Sequence, residues 1–249
     1  MFLRIAIFYV LTWFFLILLG GTQQATGILP PEVGLAQWGP GLAALSMLLL
    51  FRRDGHRITF ASPQTPGIRY LYAALIPMGA ALVIYLIRSF VDIAPSANEL
   101  AILPMLLWMP FGALGEELGW RGYLHKKLDP RMRGIASSIL VGILWMPIHV
   151  QFLTQGPLFI LLLALLIVSY SIVIYALVHD TDFSVLLASV FHLAINISNL
   201  LFLDVIYETP FMLINSLVWT VLAVIVVMRN KGIFFGRATV PDTLSTRLP

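Results

Sequence analysis

The chain is dominated by long apolar runs separated by short polar connectors. A helix that crosses hydrocarbon needs about 20 mainly apolar residues. Eight stretches qualify: residues 4–20, 34–51, 70–91, 99–117, 134–153, 157–178, 183–203 and 211–228. The eighth is interrupted by Asn215 and Ser216. The fourth is unusual, because residues 100–114 are apolar and Glu116 and Glu117 follow at once. The first stretch has one basic residue before it and no small-residue cleavage site after it, so it is read as a retained span. This pattern predicts an all-α, polytopic membrane helix bundle of about eight transmembrane helices. We expect one helical domain over residues 1–231, with its motif core at about 100–203, and a flexible cytoplasmic tail over 232–249.

Composition supports the membrane assignment. Hydrophobic residues make up 59% of the 249 and charged residues only 11%, with a mean hydropathy of +0.93. Soluble domains carry about 25% charged residues, so these charges are too few to cover a water-facing surface. The chain has no cysteine, which excludes thiolate nucleophiles, Cys-ligated zinc, iron–sulfur clusters and a disulfide-stapled secreted domain.

The positions of the basic residues give an orientation. Arg4 precedes the first stretch. Arg52, Arg53, Arg57 and Arg69 lie between the second and third, and Lys126, Lys127, Arg131 and Arg133 between the fourth and fifth. Arg229, Lys231, Arg237 and Arg247 follow the eighth. The alternate loops, 21–33, 154–156 and 204–210, contain no Lys or Arg. Since Lys and Arg accumulate on the cytoplasmic side, both termini are expected there. The protein is expected to be integral and multi-pass, in the cell membrane if bacterial. The same distribution accounts for the net charge of +3: anionic lipid headgroups suffice as partners, and nucleic acid is not expected.

Three clusters place costly polar side chains at membrane depth. In the first, Glu117 and Arg121 are four residues apart and share a helical face, while Glu116 is turned about 100° away. One carboxylate is therefore paired and one is free. The second cluster is Trp145-Met146-Pro147-Ile148-His149, where Pro147 removes a backbone donor and distorts the helix near His149. In the third, His192 and Asn196 lie four apart on one face, with Asn199 seven from His192. On the expected spans Glu116 is near the inner end of its helix, and His149 reaches the same level only if its helix is shortened or bent at Pro147. A free carboxylate, two imidazoles and an amide can activate water and hold an oxyanion.

The sequence of motifs, Glu-Glu-x-x-x-Arg, then aromatic-x-x-x-His, then His-x-x-x-Asn, resembles the CAAX protease and bacteriocin-processing (CPBP, or Abi) family of intramembrane proteases. That family is related to the type II CAAX prenyl endopeptidases. The aromatic is Trp145 here, where Phe is common. The resemblance implies an endopeptidase that cuts near the cytoplasmic membrane face. In it Glu116 is the base that activates water, assisted by His149; Glu117 and Arg121 are a supporting ion pair; His192 and Asn196 form the oxyanion site. The substrate would be a peptide or protein, prenylated or a leader peptide. No cofactor is expected. Zinc is the alternative, with Glu116, His149 and His192 as ligands, but the chain lacks an H-E-x-x-H helix. Two other functions fit the same polar residues: a non-catalytic membrane partner or chaperone that uses the site for binding, and a proton-coupled transporter. The latter predicts internal repeats, and none is evident.

Overall fold

A computed structural model describes residues 2–27, 29, 33–91, 102–202 and 205–236. The start of the fourth stretch and the tail from residue 237 lie outside the described residues. Among those described, all regular structure is helical. The principal helices are α1 (Phe2–Thr26), α2 (Gly39–Leu50), α3 (Gly67–Phe90), α4 (Ile102–Glu117), α5 (Gly134–Trp145), α6 (Pro157–Val178), α7 (Val185–Leu200), α8 (Thr209–Arg229) and α9 (Lys231–Phe235).

Local sequence sets several of these boundaries. Gly156 takes a positive φ of 95°, and Pro157 then opens α6, where its missing N–H is not needed. Ser184 caps α7 by accepting from the Leu187 amide at 3.4 Å. α5 ends at Trp145. Pro147 cannot donate to the helical ladder, and the chain continues as two 3₁₀ turns, Met146–Ile148 and Val150–Phe152. The expected span 134–153 is thus shortened at the position that sequence had marked for distortion.

α4 departs from expectation more strongly. It does not stop at Glu117 but continues as a π-helix over Leu118–His125 and a last helical turn over Lys126–Leu128. Glu116 therefore lies near the middle of a long helical element, and its expected place near the inner end is corrected. The reason is that the buried ion pair belongs to the packed interior, so the charges do not mark a helix terminus.

Glycines let α4 approach α2 closely. A Cβ on Gly119 would lie 2.5 Å from the Pro40 carbonyl carbon, and one on Gly115 would lie 3.0 Å from the Trp38 ring. A Cβ on Gly41 would meet the Gly115 carbonyl oxygen at 2.7 Å. This is the small-residue packing that membrane helices use in place of hydrophobic burial. α6 is the hub: its most apolar window is 67% buried, against 11% for α1. It packs on α5 and α8, while α7 packs on α3 and α4.

Among the described residues four helices are long and apolar enough to cross a membrane: Phe2–Thr26, Gly67–Phe90, Pro157–Thr181 and Thr209–Arg229. The other expected stretches form shorter helical segments, Leu35–Leu50, Ile102–Glu117, Gly134–Ile148 and Val185–Leu200, packed into the same bundle. Large apolar side chains such as Leu71, Leu75, Met78 and Leu82 on α3 and Leu217, Val221 and Val224 on α8 are exposed. Such continuous apolar surface belongs in lipid, and the protein is an integral membrane protein. The packed body also extends beyond residue 231, where the tail was expected to begin. α9 packs on α5, with Phe234 fully buried.

Candidate active site

The turn that ends α5 borders a cavity of about 480 Å³. Glu116 from α4, Trp145 from α5, His149 from the turn after it, and His192 and Asn196 from α7 all line it. Sequence places these groups on three separate elements; the fold brings them together.

The two glutamates are separated as the helical-face argument expects. Glu116 lines the cavity, whereas Glu117 and Arg121 are fully buried behind it and do not. Arg121 Nη1 donates to Glu117 Oε1 at 2.8 Å, and its guanidinium carbon lies 4.3 Å from the centroid of the Trp145 ring. A planar cation over an indole face is a favourable cation–π arrangement. Trp145 Nε1 donates to Glu116 Oε2 at 2.7 Å. One indole therefore fixes the free carboxylate with its edge and covers the paired cation with its face.

Glu117 has a second role that its spacing to Arg121 does not reveal. His192 Nδ1 donates to the same oxygen, Glu117 Oε1, at 2.8 Å. His149 Nδ1 donates to the backbone carbonyls of Met146 at 3.2 Å and Trp145 at 3.3 Å, which the ending of α5 leaves free. Both imidazoles are thus oriented through Nδ1, leaving Nε2 as the available atom.

Further polar side chains line the cavity: Gln37, Gln151, Tyr170, Asn199, Tyr207 and Asn215. The Tyr170 hydroxyl sits beside the amides of Asn199 and Asn215. Asn215 had a sequence signal, because it interrupts the apolar eighth stretch. Tyr170 had none, since a tyrosine in a span is unremarkable by pattern. Among the described residues no group of three His, Asp or Glu side chains is placed to hold a metal ion.

This architecture, a helical membrane bundle enclosing a carboxylate and two oriented imidazoles, defines a class of membrane-embedded site suited to polar chemistry. A family model for type II CAAX prenyl endopeptidase Rce1-like proteins matches residues 98–198, the segment that carries all three motifs. The chain is also 29% identical over 146 residues to CAAX prenyl protease 2 of Methanococcus maripaludis, covering 54% of this chain and 53% of that protein. Through this motif core the chain is similar to the Rce1-like family. It aligns with about half the length of that curated relative.

Proposed function

We propose that the protein is an intramembrane endopeptidase in which a glutamate-activated water hydrolyses a peptide bond. The observation that carries this reading is the convergence of Glu116, His149, His192 and Asn196 on one cavity, with the ion pair of Glu117 and Arg121 held out of it. A curated relative named as a CAAX prenyl protease supports the same reaction class.

The chain's residues divide the work as follows. Glu116 takes a proton from water, whose oxygen attacks the scissile carbonyl carbon. Trp145 Nε1 keeps that carboxylate aimed at the cavity. The developing oxyanion accepts hydrogen bonds from the Asn196 amide and from His192 Nε2, which donates when the ring carries both protons; Glu117 then balances the charge. The C–N bond breaks, and the leaving amine receives the proton held by Glu116, with His149 assisting the transfer. No step requires a metal. The substrate is a peptide or protein segment, and both a prenylated chain and a leader peptide belong to this class.

The test compares the protein termini generated in membranes of cells expressing the wild type or Glu116→Gln. The glutamine keeps shape and accepts the Trp145 hydrogen bond but is no base. Termini present with the wild type and reduced at least about 100-fold in the variant, at equal expression and melting temperature, support the proposal. Identical termini in both overturn it.

A further inference from the structure

The cavity has a direction. Its outer lining comes from Gly34, Ala36 and Gln37 before α2, from Met105 and Trp108 at the start of α4, from Val150, Gln151 and Phe152 after α5, and from Ile206 and Tyr207 before α8. Every one of these elements lies at the Lys/Arg-poor ends of the helices. No residue of the basic connectors 51–69 or 119–133 lines it.

The basic face, in contrast, is sealed. The connector 52–66 is laid across it and held by backbone hydrogen bonds from Val185 N to the Thr59 carbonyl at 3.0 Å and from Leu186 N to the Phe60 carbonyl at 2.8 Å. Asp54 pairs with Arg4 and, at 3.1 Å, with Lys127. Asp182 takes Lys126 at 2.8 Å, and Asp180 takes Arg69. Between this network and the cavity floor lie Trp120, Leu124, His125 and Leu187, all fully buried. A peptide cannot reach Glu116 through that layer without unfolding it.

Charge fixes which face is which. Among the described residues, every Lys and Arg apart from Arg88 and the buried Arg121 lies on the sealed face. That asymmetry sets the sealed face on the cytoplasmic side.

We infer that the protein takes its substrate from the non-cytoplasmic side, so that the scissile peptide is a segment of an exported or membrane protein presented at the Lys/Arg-poor face. The substrate class rests on the endopeptidase reading above; the side of access does not. It also departs from the expectation, implied by the resemblance, of cleavage near the cytoplasmic face.

The absence of cysteine makes the test clean, because each introduced thiol is the only one. Gln151→Cys reports the mouth, Asn196→Cys the cavity wall and Arg53→Cys the sealed face, in intact bacterial cells expressing the full chain. A membrane-impermeant maleimide should label Gln151→Cys in intact cells and Arg53→Cys only after lysis. A small charged methanethiosulfonate should reach Asn196→Cys from outside. Tyr207→Cys serves as a second mouth position if Gln151→Cys is not produced. Labelling of Arg53→Cys in intact cells overturns the orientation. Reaction of Asn196→Cys only after lysis, or not at all, overturns the access route. Neither readout depends on hydrolysis, so loss of the endopeptidase reading would leave this result standing, and the reverse.

Discussion

Trp145 donates its indole N–H to Glu116 Oε2 at 2.7 Å while its ring carries the Arg121 guanidinium on its face. The aromatic position of the second motif is therefore a joint between the free carboxylate and the buried ion pair. Trp145→Phe keeps a ring under Arg121 and removes the donor. Turnover is expected to fall on the order of 10- to 100-fold, the scale of losing a hydrogen bond that positions a reacting group. Initial rates on an identified substrate, alongside a thermal melt, check this. An unchanged rate would show that Glu116 is held by its backbone alone.

Glu117 should behave differently from Glu116. It is the shared acceptor of Arg121 and His192, and all three are buried. Glu117→Gln leaves a buried cation without its counter-charge, at a cost of about 3–5 kcal/mol. A large drop in melting temperature is the expected outcome, and the loss of activity should follow the loss of folded protein and of His192 orientation. A stable but inactive Glu117→Gln, beside an active Glu116→Gln, would exchange the two roles.

The glycine seam makes a separate stability prediction. Gly119→Ala forces a methyl against the Pro40 carbonyl, and α4 must move away from α2. Overpacking of this kind costs about 1–3 kcal/mol. Gly79, with open space around its added Cβ, is the control: Gly79→Ala should melt no lower than wild type.

The sealed face should loosen in mild acid. His56 Nε2 lies 3.2 Å from the Gly122 carbonyl. Burial pushes the imidazole below its ordinary pKa, with Lys127 and Lys126 acting in the same direction, against the Gly122 hydrogen bond and Asp182. The unfolded connector then binds a proton near pH 6.5 that the folded one does not, so stability is complete above that pH and is lost as pH falls below it. Hydrogen exchange of residues 52–66 should quicken from pH 7.5 to 5.5 beyond the intrinsic change, and His56→Gln should flatten that excess. Equal profiles for both proteins would remove His56 from the account.

A chelator should leave activity intact. The proposed chemistry runs through the Glu116 carboxylate, and no step of it uses an ion. Elemental analysis showing one zinc per chain, with chelator inactivation reversed by zinc, would refute this.

What sequence revealed and what it hid follow from the range of the interactions. The separation of Glu116 from Glu117 was legible because a four-residue spacing fixes a helical face. The helix break that brings His149 to the cavity was legible from Pro147. The bond between His192 and Glu117 was not, since it joins residues 75 apart on different helices. The depth of Glu116 was misjudged because a glutamate pair followed by arginine looks like a helix end at the membrane surface, and only the packed interior shows otherwise. The number of crossing helices stayed open for a related reason: 12 to 16 apolar residues can end inside a bundle as readily as they can cross it.

The π-helix over Leu118–His125 has a consequence for inheritance. Its wider turns put the upper and lower parts of α4 out of rotational phase with a regular α-helix. Loss of one codon within this segment would let the ladder revert to α geometry while its flanking parts kept nearly their present phase. Glu116 and Glu117 would still face the cavity and His192, whereas the residues inside the segment, Trp120, Arg121 and Leu124 among them, would be turned to new directions. A deletion that shortens the chain by a single residue would thus disturb the packing behind the site and leave its two glutamates aimed as before.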